Sequence, residues 1–186
     1  EKTGETIAAK AGIKKLSMEL GANSPVIVLP DADLQQAAES CASGANWAAG
    51  QNCIGVQRIY VQRSICQRFS QLLQAATERL KVGDPCDPDI DVGPMISEQE
   101  AKRVECWVDE AHRAGAQILT GGQRWGSLFQ PTVLLDVPAT ASIVCKEVFG
   151  PVVSVLAFDT LEEAIALANG HPYSIHAAIF TNTIKS

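Results

Sequence analysis

None of the six cysteines (Cys41, Cys53, Cys66, Cys86, Cys106 and Cys145) belongs to a C-x-x-C pair, and their spacing follows no framework. That pattern excludes a zinc knuckle and a disulfide scaffold, so the thiols are expected to be reduced. His112, His171 and His176 sit too far apart for a metal motif, and no metal is expected. The chain has no apolar run long enough to span a bilayer and no basic segment leading a secretory apolar core. Membrane insertion and export are therefore not expected, and the cytoplasm is the default location. Basic residues are in deficit, 15 Lys and Arg against 21 Asp and Glu, for a net charge of −6. They are scattered without interleaved aromatics, which argues against nucleic-acid binding. No G-x-G-x-x-G opens a helix, so Gly83 and the Gly121-Gly122 pair read as turns and not as phosphate cradles. Trp47, Trp107 and Trp125 share no spacing and read as packing groups.

What the sequence does contain is enough apolar material for a core: 46% hydrophobic and 19% charged residues over 186 positions. With no internal repeat and no linker, residues 1–186 are read as a single domain. Apolar, β-branched runs predict strands at 26–29, 59–62, 117–119, 132–135, 152–158 and 177–180. Between them the pattern predicts a helix over 31–47 with acidic first-turn residues, and another over 64–81 opened by Ser64 as its cap. Pro85, Pro88 and Pro94 break the chain into a loop. Ser97 with Glu100 forms a capping box for a helix that runs to about Arg113 and stops before Gly115. A last helix is expected at 161–169. The expected class is α/β, a largely parallel sheet with helices on both faces.

Three segments carry chemistry. Cys53 follows a Gly50-Gln51 turn, where glycine lets backbone N–H groups face a ligand and stabilise a thiolate or an oxyanion. Taken alone, a cysteine is more often a small buried hydrophobe. Glu19 lies between Met18 and Leu20 ahead of a Gly21-Ala22-Asn23 turn; partial desolvation there would raise its pKa and suit a general base, whereas taken alone it is more often a strand-end glutamate whose side chain simply reaches solvent. Glu147 and Phe149 belong to Lys146-Glu147-Val148-Phe149-Gly150-Pro151, a turn that fixes their direction or merely leads into a strand.

Together the three segments resemble the NAD(P)-dependent aldehyde dehydrogenase superfamily, in that family's order. Its members carry Glu-Leu-Gly-Gly-Lys-Ser-Pro at Glu19 to Pro25, Gly-Gln-x-Cys at Gly50 to Cys53, and Glu-Glu-x-Phe-Gly-Pro at Lys146 to Pro151. Further wording matches at Pro30 to Leu34, Val82 to Pro85, Val92 to Ile96, Gln130 to Leu134 and Ile179 to Asn182, so the resemblance covers nearly the whole chain. Ala22, Asn23, Lys146 and Ser174-Ile175 depart from the usual residues. None of these removes a chemical group assigned below.

The resemblance implies oxidation of an aldehyde to a carboxylic acid with NAD or NADP. Cys53 would form a thiohemiacetal and then a thioester, and Glu19 would be the base for deacylation. Glu147 would bind the nicotinamide ribose, with Phe149 packed beside it. Gln51 and Arg58 would be structural supports. A Pro-Trp-Asn segment and a cofactor-binding domain that the family places first are not in the sequence. The chain is thus expected to be an excised catalytic domain that begins inside a helix and stops before the oligomerisation segment. By itself it is expected to bind cofactor poorly and to be inactive, while the full-length protein would be a homo-oligomer. Two other readings remain open here: a non-catalytic assembly unit, and a thiol-acyl hydrolase using Cys53 and Glu19 without NAD.

Overall fold

Ile59, Tyr60 and Val61 are buried without exception, because the strand that carries them has neighbours on both edges and helices on both faces. The computed structural model describes residues 2–183; the two chain ends discussed above, Glu1 and Ser186, lie outside the described residues. Its strands are β1 (Pro25–Val28), β2 (Arg58–Gln62), β3 (Gln117–Thr120), β4 (Arg124–Trp125), β5 (Leu128–Phe129), β6 (Thr132–Leu135), β7 (Val152–Phe158) and β8 (Ala178–Phe180). Six of them form one sheet in the order β3-β6-β7-β2-β1-β8. Every pairing is parallel except that of β3 with β6, and β4 and β5 make a separate hairpin.

The twofold alternation of strand side chains sorts the core into layers. Val26 and Val28, Ile59 and Val61, Val133, Val153 and Val155 face helices α2 (Leu34–Asn46) and α3 (Arg63–Glu78). Between Leu34 and Asn46 the buried residues of α2 are small, Ala37, Ala38, Cys41, Ala42 and Ala45, and this lets the helix lie close to the sheet. On the other face Leu134 and Val152 meet α4 (Glu98–Arg113) and the short α5 (Ser142–Cys145), while Ile27, Tyr60 and Phe158 surround Ala164 of α6 (Leu161–Asn169). A helix α1 (Lys2–Lys10) precedes a stretch without regular structure. No helix among the described residues is long and apolar enough to cross a membrane.

The expected class is therefore the observed one, with local corrections. Asp33 is the N-cap of α2, accepting from Gln36 N, and no acidic residue lies in the first turn proper. Ser64 caps nothing. Helix α3 starts at Arg63 directly from the end of β2, so Ser64 already lies inside it, and Gln62 at the cap position makes no side-chain cap. At α4 the Ser97 hydroxyl does accept from Glu100 N at 3.2 Å, but the Glu100 carboxylate turns to Arg103 at 2.7 Å and does not close the box. The hairpin of β4 and β5 and the single-turn α5 were not expected.

Parallel pairing has a direct consequence for the three chemical segments. Pro25 is in register with Arg58, and Arg58 with Ser154, so β1 and β2 begin side by side and β7 starts just ahead of them, at Val152. With adjacent strands about 4.8 Å apart, the loops that lead into them emerge within about 10 Å of each other. Those loops hold Glu19, Cys53 and Glu147.

Cys41 tests the core on the α2 side. An ordinary thiol ionises near 9.0, but burial pushes Cys41 up to about 12. Between those values the unfolded chain releases a proton that the folded chain keeps, so this residue's contribution is present below about pH 9 and is lost as pH rises toward 12. Urea unfolding midpoints should fall with pH across that window in the parent chain. In Cys41→Ala the fall should be shallower, and an unchanged slope would show that this thiol is not sealed in the core.

Candidate active site

The cysteine turn is built from an unusual backbone. Ala48, Ala49 and Gly50 have φ of 53°, 54° and 69°, three successive residues in the left-handed region. For alanine this costs about 1–2 kcal/mol per residue. Such strain persists only where the surroundings over-determine it, and it concentrates at functional sites. Here the surroundings are explicit. Gly50 is seated against the backbone of Gly150 and Pro151, where any side chain would collide with the Gly150 carbonyl. Gln51 donates to Ala48 O at 3.2 Å and accepts from Ile96 N at 2.7 Å. Asn52 donates to Trp47 O at 3.1 Å, and Val56 N donates to Gly44 O at 3.2 Å. His176 meets Ile54 O at 3.0 Å. Cys53 is half-buried at the tip of this turn.

The second loop is held from inside. Gln57, buried just ahead of β2, donates to Lys146 O at 2.6 Å and Ile143 O at 3.2 Å and accepts from Val148 N at 2.8 Å. Asn23, fully buried, donates to Val144 O at 2.7 Å. From outside, Arg103 donates to Val148 O at 2.7 Å and stacks on Trp107, whose ring also lies 5.4 Å from the Lys146 ammonium. Glu147 thereby reaches the first loop, accepting from Ala22 N at 3.0 Å and packing so closely on Gly21 that a side chain at 21 would strike the carboxylate. Phe149 is 42% exposed with φ 48°, a strained conformation that presents its ring outward.

Arg58 locks the two inner strands together. Its buried guanidinium donates to Asn23 Oδ1 at 2.9 Å, Asn23 O at 2.5 Å and the Tyr60 hydroxyl at 2.9 Å. It also reaches Leu167 O in the last turn of α6 at 3.5 Å, where the helix dipole favours a cation. Burial raises the Tyr60 phenol, and the Arg58 charge partly opposes that shift.

The structure thus brings Glu147 against Gly21 and Ala22, and the Glu147 to Gly150 loop against Gly50. Glu19 is different. It is exposed, on a shallow groove with Met18, Tyr173 and Ile175, and no hydrogen bond joins it to the cysteine turn among the described residues. The expected desolvation of this carboxylate is absent, because the segment before Gly21 has no regular structure and packs little against the sheet. A cleft of about 360 Å³ opens between Gly21, Ala22, Lys146, Glu147, His171 and Tyr173. A larger hollow of about 620 Å³ lies between α2 and α3, walled by the exposed Glu39 and Arg79 pair, and holds neither Cys53 nor Glu147.

Sequence reading passed over Gln57 and treated Asn23 only as a departure. A lone amide before a strand carries no motif; its burial and three backbone partners become visible only in the fold. All three loops also lie at the amino ends of their strands, whereas ligands of open α/β sheets usually sit beyond the carboxyl ends.

Comparison with known proteins agrees with these features. The model of the aldehyde dehydrogenase family matches residues 1–186. An aldehyde-dehydrogenase-like protein of Sinorhizobium fredii is 55% identical over 98% of this chain and 36% of its own length. The aspartate-semialdehyde dehydrogenase 1 of Pseudomonas canavaninivorans is 47% identical over 99% of this chain and 39% of its own. Among solved structures, the glyceraldehyde-3-phosphate dehydrogenase of Methanocaldococcus jannaschii, complexed with NADP, superposes with a TM-score of 0.94 at 42% identity, covering 98% of this chain and 40% of that one. The chain therefore spans well under half the length of the relatives it matches. By its family match along the whole sequence and by its fold, it belongs to the aldehyde dehydrogenase family.

Proposed function

We propose that, within its full-length protein, this chain supplies the thiol chemistry of an NAD(P)-dependent aldehyde dehydrogenase that converts an aldehyde to a carboxylic acid. The observation that carries this reading is the seat of Gly50 on Gly150, which joins the strained cysteine turn to the loop bearing Glu147 and Phe149. A solvent-reaching thiol on a rigid turn is the arrangement expected of a nucleophile and not of a packing cysteine.

The residues present fit one end of a nicotinamide dinucleotide. The Glu147 carboxylate is an acceptor suited to ribose hydroxyls, it borders an open cleft, and the exposed ring of Phe149 offers an apolar face on the same loop. When bound, the cofactor supplies the hydride acceptor that lets the Cys53 thiohemiacetal become a thioester. The chain's own residues do the rest. Cys53 as thiolate adds to the aldehyde carbon, and the backbone N–H of Cys53 stabilises the oxyanion formed. Glu19, in the segment that enters β1 beside β2, takes a proton from the water that hydrolyses the thioester.

Two substitutions in the full-length protein test these roles. Cys53→Ser should lower aldehyde oxidation by several orders of magnitude, because a serine hydroxyl stays protonated at neutral pH; substantial turnover would reject Cys53 as the nucleophile. Glu19→Gln should preserve the first-turnover burst of reduced cofactor while steady-state turnover drops, since acylation then outruns deacylation. Equal loss in both phases would instead make Glu19 an activator of the thiol.

A further inference from the structure

Glu147 has two peptide planes beside its Cα, one carrying Lys146 O and the other Val148 N, and their orientations set its φ and ψ. A single side chain holds both. The Gln57 amide donates to Lys146 O at 2.6 Å and accepts from Val148 N at 2.8 Å, with a further bond to Ile143 O at 3.2 Å. Gln57 is itself fixed, because its own carbonyl accepts from Ser154 N of β7 at 2.9 Å and its side chain is enclosed. No other residue type offers two donors and an acceptor at that reach; glutamate would set a charge against two carbonyl oxygens, and methionine would keep the shape without any bond.

We infer that Gln57 is a positioning residue: by fixing both peptide planes next to Glu147 it aims that carboxylate into the cleft, and so sets cofactor affinity without touching the cofactor. The inference rests on the reading of Glu147 as a ribose ligand given above. The direction of the carboxylate is then a property of the cofactor-free protein. The Ala22 N–H at 3.0 Å and the bare Gly21 receive it in the orientation that Gln57 imposes.

The test uses full-length protein carrying Gln57→Met, Glu147→Gln or both, with calorimetric Kd for NAD and NADP, and acylation of Cys53 by p-nitrophenyl acetate without cofactor. Each single substitution should raise Kd about tenfold, and the double variant should bind no worse than Glu147→Gln alone. In Gln57→Met the loss of affinity should exceed the loss of ester acylation by about tenfold, a split that general damage to the fold would not give. A raised Kd in Glu147→Gln with an unchanged one in Gln57→Met would overturn the role of Gln57 alone. An unchanged Kd in Glu147→Gln would overturn the ribose reading and this inference with it. Additive effects would show that Gln57 acts through the fold at large. Should Gln57→Met not fold, amide hydrogen exchange of the unmodified protein decides: slow exchange at Val148 N–H without cofactor supports the inference, and protection that arises only on adding cofactor overturns it.

Discussion

The position of β2 between β1 and β7 is the constraint from which the site follows. Three parallel strands in one register must begin together, and whatever precedes them in the chain is brought to the same edge. The loops need no attraction of their own to meet. Sheet hydrogen bonds and the apolar layers on both faces do that work, and the loops are free to carry polar and strained residues. This division explains why β1, β2 and β7 are mostly apolar while the segments leading into them carry Asn23, Gln57 and Gly150.

Polar groups at this edge are satisfied mostly by backbone and seldom by opposite charge. Arg58 is buried among an amide, two carbonyls and a phenol, with no carboxylate among its hydrogen-bond partners. A buried ion pair loses its balance whenever one partner is lost, whereas a guanidinium spread over several neutral acceptors depends on geometry. The same holds for Gln57 and Asn23, whose amides donate to carbonyls of α5 and of Lys146 just after it. The cation stack of Arg103 and Lys146 on Trp107 closes that loop from its solvent side.

Long periodic elements were legible in the sequence. The strands at 132–135 and 152–158 and the helix at 161–169 fall where their apolar patterns place them, since a twofold or 3.6-fold repeat over several residues has few alternatives. Short elements were not: β4 and β5 have two residues each, and α5 is a single turn inside a loop. Ser64 misled because a good capping residue means little when a strand runs straight into a helix. At the candidate site, the motifs singled out Cys53, Glu147 and Phe149 as proposed functional residues, yet burial of Glu19 could not be judged from two apolar neighbours in an irregular segment. Gln57 gave no signal, because its partners lie 86 to 91 positions away.

The meeting of Gly50 and Gly150 is main chain on main chain, so the seat of the cysteine turn on the neighbouring loop involves no side chain, while Gln51, Asn52 and His176 tie the turn itself. Ile54 is exposed beside the cysteine, and it is its carbonyl, not its side chain, that meets His176. A scaffold of this kind separates what is anchored from what is adjustable: Gly50 admits no side chain, and the exposed wall beside the sulfur is open to revision.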